Sequence, residues 1–170
     1  GDEVFPMRFL GMMNGANKAD SAAFSQDDIL YPRAWDLLSF IMDSRTGLGR
    51  FKDFEVTNKQ LMEDLIHYCA KYNIDEILEI SDVKERVDLY FKYEEEFNTQ
   101  LEKCTTVYGN VVVVDYKDEE VIYPGNRFLV YAMYPDISVS IHISYTFDKD
   151  KVVYSTGKSI INKSSQTNIG

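Results

Sequence analysis

Between Ser81 and Cys104, the apolar residues Val83, Val87, Tyr90, Phe97 and Leu101 recur at steps of three and four, with Glu94 interrupting one place. That period lays a single apolar seam along one long helix, and such a seam has to be buried against something. Ser81 reads as the cap, Asp82 and Glu85 suit the positive end of the helix dipole, and Lys103 suits the negative end. The segments before this helix carry helical spacing. Those after it carry strand spacing, with one short helix. The expected class is therefore α/β, with a mostly α N-terminal part (1–80), a connector helix (81–104) and a small mixed α+β C-terminal part (105–170).

In the N-terminal part, Pro6 after Asp2 and Glu3 reads as a helix start, and Phe9, Leu10, Met13 and Ala16 form its face. Gly11 and Gly15 weaken this helix or admit a close neighbour. Asp20 then falls at a helix end. Ser25-Gln-Asp-Asp28 matches a capping box, and the next helix, Pro32 to about Asp43, is expected to bury Trp35, Leu38, Ile41 and Met42. Arg45-Thr-Gly-Leu-Gly-Arg-Phe51 is a loop whose glycines suit either an anion cradle of backbone amides or a plain turn. Thr57-Asn-Lys-Gln60 is a second capping box, opening a helix whose stripe is Leu61, Met62, Leu65, Ile66, Cys69 and Tyr72. His67 has no second histidine at i+4, so it reads as a surface or packing residue. Ile74 to Ile80 is a further short helical turn.

Beyond Cys104, Val111-Val-Val-Val-Asp115 reads as a strand covered on both faces, and Asp118-Glu-Glu120 as solvated. Phe128, Leu129, Ala132 and Met133 have helical spacing up to Pro135. Ile137, Val139, Ile141 and Ile143 alternate with Ser138, Ser140, His142 and Ser144, which describes a half-buried strand with the isoleucines inward and His142 on the polar face. After a turn at Phe147–Asp150, Lys151 to Ser155 is another strand.

A net charge of -10 argues against binding duplex nucleic acid, whose affinity rests on lysine and arginine. The charge is uneven. Residues 1–104 hold 12 basic and 21 acidic side chains, whereas the last twenty residues hold Lys151, Lys158 and Lys163 and no acid, so an anion is tolerated there first. The N-terminus lacks the pattern of a signal peptide and no apolar run approaches the roughly 20 residues of a membrane span, which leads to the expectation of a cytoplasmic protein with no membrane partner. Two cysteines, Cys69 and Cys104, read as reduced thiols.

Four stretches, Lys18-Ala-Asp-Ser-Ala22, Arg45-Thr-Gly-Leu-Gly-Arg-Phe51, Gly125-Asn-Arg-Phe-Leu-Val-Tyr131 and Gly157-Lys-Ser-Ile-Ile-Asn-Lys163, occur in an order that resembles the exopolyphosphatase-related branch of the DHH phosphoesterase superfamily. The resemblance implies a hydrolase with two domains and a cleft between them, in which two divalent cations, manganese or magnesium, activate water against a phosphodiester or phosphoanhydride bond. It implies that Asp20 is one metal ligand, that Lys163 with Ser164 contacts substrate where the family has an arginine and a small hydroxyl residue, and that Arg45 and Arg50 serve the substrate phosphate. The implied substrate is a small phosphorylated molecule or short oligonucleotide. The chain has no Asp-His-His triplet, no early Asp-x-Asp motif and no Gly-Gly-His segment, so it is expected to be the end of a DHH domain, the connector and an incomplete DHH-associated domain, inactive alone and unable to hold the cations alone. The alternative is a non-catalytic relative that self-associates, for instance as a homodimer, or needs a partner. For Asp20 the plain alternative is a helix-capping aspartate.

Overall fold

A computed structural model describes residues 9–146, 148–166 and 168–169. The proposed helix start at Pro6, the N-terminal residues before it and Phe147 lie outside the described residues. The chain runs α1 (Leu10–Asp20), α2 (Gln26–Leu30), α3 (Ala34–Met42), two 3-10 turns (Ser44–Thr46 and Leu48–Arg50), α4 (Asn58–Lys71), α5 (Ile74–Leu78), α6 (Ser81–Lys92), α7 (Glu94–Cys104), β1 (Thr105–Tyr108), β2 (Val111–Asp115), α8 (Leu129–Met133), β3 (Val139–Tyr145) and β4 (Val152–Lys158). It is an α/β fold, helical first and then a four-stranded mixed sheet of order β1-β2-β3-β4.

The expected single helix over 81–104 is two helices. Tyr93, at φ -105° and ψ 9°, leaves helical geometry between α6 and α7, next to the position where Glu94 breaks the apolar seam. The seam divides there. Val83 and Tyr90 join a helical core with Leu37, Leu38, Ile41, Leu48, Leu61 and Ile77, whereas Phe97 and Leu101 join a second core with Val112, Val114 and Leu129. Ser81 is the first helical residue and does not cap; Ile80 holds the cap position without a side-chain bond.

The second core also takes Phe24, Ile29 and Phe40 from the N-terminal helices. Phe24, Phe40 and Phe128 meet at ring-centroid distances of 4.7, 5.7 and 6.2 Å, and a fully buried aromatic contributes about 1.5–3 kcal/mol by area alone. Gly125 packs against Phe97 of the second core. A Cβ there would overlap the Phe97 ring, and its amide donates to the Thr46 carbonyl at 3.0 Å.

The capping box at Ser25 forms in full, and Thr57 accepts from the Gln60 amide. The face of α1 that carries Gly11 and Gly15 admits Trp35, so the close neighbour is α3. Helix α3 starts at Ala34, since Pro32 and Arg33 precede it in other geometry, and it buries Leu37, Leu38, Phe40 and Ile41 while Trp35 and Met42 are half-buried. The stripe expected on α4 is narrower than its apolar residues suggest. Leu61 is buried, but Met62, Ile66 and Tyr72 are exposed. Glu119 is not a solvated acid: it accepts from Gln100 at 2.8 Å and from Lys103 at 2.6 Å.

Strand β2 is central, antiparallel to β1 and parallel to β3, and β3 is antiparallel to β4. It is covered on one side only, with Val112 and Val114 fully buried and Val111, Val113 and Asp115 half-buried. Ile137, ahead of the strand, is buried as expected, but within β3 the expected orientation is inverted: Ser140 is buried and, with His142, lies beside the fully buried Val112 and Val114 in register, while Val139, Ile141 and Ile143 are half-buried on the other face. The serine and histidine face of β3 therefore points toward the helices, and the reason lies in what it borders.

Lys18 ties the first three helices together, bonding Asp28 at 2.7 Å and Asp36 at 2.8 Å. Burial alone would raise the Asp28 carboxyl, but hydrogen bonds from Lys18 and Ser25 and the charge of Lys18 outweigh it and hold the group at about 2. A depressed carboxylate stabilises the fold above its ordinary value near 3.8, and that contribution is lost as pH falls from there through about 2. Urea unfolding at pH 6 and pH 2 should therefore show the wild type more stable than Asp28→Asn by at most about 2 kcal/mol at the higher pH, with most of that gap gone at the lower.

Candidate active site

The segment around Asp20 is a helix terminus with a defined closure. Ala23 donates to the Lys18 carbonyl at 2.9 Å and Ala22 to that of Ala19 at 3.2 Å, with Ala22 in the left-handed region at φ 47°. This double closure ends α1 two residues past Lys18 and leaves Asp20 as its last residue. A carboxylate at a helix C-terminus faces the negative end of the dipole, so it does nothing for the helix. The capping alternative for Asp20 fails on that placement. Asp20 is exposed, has no hydrogen bond or ion pair among the described residues, and lines a cavity of about 490 Å³ together with Asn17, Ser39, Asp43, Arg45 and Arg127.

A second cavity, of about 430 Å³, shares Arg45 and Arg127 with the first. Its walls include Arg50, Tyr116, Tyr123, Ser140, His142 and Ser155. The two arginines at the junction are held by one carboxylate. Asp43 accepts from Arg45 Nε and Nη2, both at 2.8 Å, from the Arg45 amide at 3.0 Å, and from Arg127 Nε at 3.0 Å. Burial works to raise the Asp43 carboxyl, and the bonds from Arg45 and Arg127 overcome it and keep the group below its ordinary value. Arg127 also lies over the Phe128 ring at 3.9 Å. Two fixed guanidiniums on one carboxylate leave a net positive charge and unused N–H donors where the cavities meet, an arrangement suited to a phosphate.

In the loop from Arg45 to Phe51, the amides of Arg45, Thr46, Gly47, Arg50 and Phe51 already donate to acceptors within residues 43–48. Lys163 and Ser164 are exposed in the turn after β4 and line neither cavity; the Ser164 amide bonds Asn162 Oδ1 at 3.1 Å. Asp43, Arg127 and the polar face of β3 were not chosen from the sequence. Arg127 sits inside one of the four ordered stretches, and that was its available signal.

Among the described residues no group of three or more carboxylate, imidazole or thiol side chains could hold a metal ion. The described residues therefore do not by themselves fit a pair of divalent cations. The cysteines offer no thiolate near neutral pH, since burial pushes both thiols up, Cys104 to about 11 with the added effect of Glu119. No described helix is long and apolar enough to cross a membrane.

No family model matches the chain, and neither does any curated protein. Among solved structures, the pGpG-specific phosphodiesterase PggH from Vibrio cholerae superposes with a TM-score of 0.89 and 49% sequence identity over 100% of this chain. The chain is similar to a phosphodiesterase. It spans 57% of the PggH chain, so a little under half of PggH has no counterpart here.

Proposed function

We propose that this chain belongs to a phosphodiesterase of the DHH superfamily that hydrolyses a small linear nucleotide, and that it supplies the substrate-holding walls of the active-site cleft. The observation that carries the reading is the pair Arg45 and Arg127, fixed by Asp43 at the junction of two cavities, in a chain 49% identical to a pGpG-specific phosphodiesterase. The arginines bind and orient the phosphate. Asp20 offers one free carboxylate in the adjoining cavity, where it would contribute to a divalent cation, manganese or magnesium, whose other ligands the remainder of a longer chain would have to provide. Such a cation supplies water activation and charge neutralisation when bound. The exopolyphosphatase-related branch, the division at the 81–104 segment, the substrate roles of Arg50, Lys163 and Ser164, and the inactivity of the isolated chain belong to the same proposal.

The test uses the longest natural chain that carries this sequence, assayed with pGpG and added divalent cation, with products separated by anion exchange. Release of guanosine monophosphate is expected. No cleavage of pGpG or of other short linear oligonucleotides overturns the reading, and an Asp20→Asn variant with full activity removes Asp20 from the site.

A second reading, a module that pairs with another chain or with its own copy, draws on one surface. Met62 and Ile66 of α4, exposed to 61 and 70%, border an apolar hollow together with Met12 of α1, Leu65 and Cys69. Exposed apolar residues gathered around one hollow mark an interaction face.

A further inference from the structure

The arginines of the second cavity all come from outside the sheet, and the sheet wall opposite them carries no charge. That wall consists of Ser140, His142 and Ser144 on one face of β3, with Ser155 of β4 directly opposite His142. Ser140 is satisfied by the Tyr131 hydroxyl at 2.8 Å. Gly157, opposite Ser140, leaves room for that pair, because a Cβ there would meet the Tyr131 hydroxyl at 2.5 Å. The side chains of His142, Ser144 and Ser155 make no hydrogen bond within the described residues, although the first two sit on the inward face of an inner strand.

The polar atoms of these side chains are open to the cavity, whereas strands ordinarily place apolar residues inward. On β3 the order is reversed, with isoleucines outward and unpartnered donors and acceptors inward. A phosphate can accept from hydroxyls, but its charge is met by the arginines on the other side of the cavity. A nucleobase edge matches the uncharged wall: it mixes donors with acceptors, and hydroxyls and a neutral imidazole each act as either. Burial keeps the His142 imidazole below its usual range, hence neutral near pH 7. Behind it the Tyr116 ring lies at 6.3 Å and 30°, giving the wall a flat aromatic component.

We propose that His142, Ser144 and Ser155 form a nucleobase site, which takes the base of a nucleoside monophosphate unit while Arg45 and Arg127 hold its phosphate. The proposal deepens the phosphodiesterase reading and rests on it for the choice of ligand. A cavity of about 430 Å³ has room for one nucleotide unit. The sheet wall then selects nucleotides over other phosphate esters, with His142 as a specificity-determining residue.

Calorimetric titration of the longest natural chain with guanosine 5′-monophosphate and with ribose 5-phosphate separates base from phosphate. The nucleotide is expected to bind at least about tenfold more tightly, a difference of about 1.4 kcal/mol. His142→Ala should abolish that preference and leave the ribose 5-phosphate affinity within about twofold, and His142→Gln should restore part of it. Ser155→Val, which removes a hydroxyl and leaves a strand-forming residue, gives the same loss should the histidine variants fail to fold. Equal affinities in the wild type, no binding of either compound, or a preference that survives in every folded variant overturns the base site. Loss of hydrolysis with the preference intact counts against the enzyme alone; hydrolysis of pGpG without the preference counts against the base site alone.

Discussion

Arg127→Ala is expected to lower kcat/KM for a linear dinucleotide by on the order of a hundredfold in the longest natural chain that carries this sequence. The guanidinium is fixed at the junction of the two cavities by Asp43 and by the Phe128 ring, so its remaining donors are aimed before substrate arrives. Removing a preorganised donor to a charged phosphoryl group acts on the transition state as well as on binding. Arg127→Lys keeps the charge but cannot bond Asp43 and a phosphate through a planar fork, so it should recover only a small part of the loss. Steady-state kinetics across substrate concentration checks both variants, with a thermal melt to verify folding. A wild-type kcat/KM in Arg127→Ala would remove the junction from the active site.

The largest expected effect on stability lies elsewhere, at Arg86. This residue is 0% exposed and pairs with no carboxylate among the described residues. Its charge is met by neutral acceptors instead: Asn58 Oδ1 at 3.1 and 3.0 Å, the Asp82 carbonyl at 2.7 Å and the Val56 carbonyl at 2.6 Å, with the Phe54 ring at 3.9 Å. Burial pulls its pKa below the usual arginine value, with Glu85 and Asp82 opposing, yet a guanidinium stays charged in proteins. Asn58→Ala strips two of its bonds and leaves a buried charge partly unmet, which should cost about 3 kcal/mol. Adding Arg86→Met to that background removes the charge itself and should return part of the loss. Urea midpoints at constant slope measure both. An Asn58→Ala variant as stable as the wild type would mean that the site relaxes to admit water.

The positions of the elements were largely legible in the chain, because capping at Ser25 and Thr57 and the period change after Cys104 are local signals. The errors arise where tertiary contacts overrule a local pattern. Glu94 marked the one imperfect place in the seam from Val83 to Leu101, and the backbone departs from the helix beside it, with each half serving a different core. Strand β1 went unseen because Thr105–Tyr108 is short and mostly exposed. Met62 and Ile66 have helical spacing with Leu61 and Leu65, but spacing cannot say whether another element covers them. The face of β3 was read backwards for an informative reason: alternation predicts apolar residues inward, and the chain places Ser140 and His142 there because a cavity, not a core, adjoins them. Of the candidate site, Asp20, Arg45 and Arg50 were singled out through ordered motifs, whereas the pairing of Asp43 with Arg127 joins positions far apart in the chain. No sequence period records that meeting.

The parallel pairing of β2 with β3 also bears on the order in which the molecule assembles. Val111 meets Val139 only after the whole crossover through α8 has been laid down, so that contact carries a loop-closure entropy that the helical turns and the β3–β4 hairpin do not. The helices around Leu61 and Val83 can form from neighbouring segments, while the sheet wall of the second cavity has to wait. The site is therefore completed late in folding, and amides of β2 and β3 should acquire protection from hydrogen exchange after those of α5 and α6.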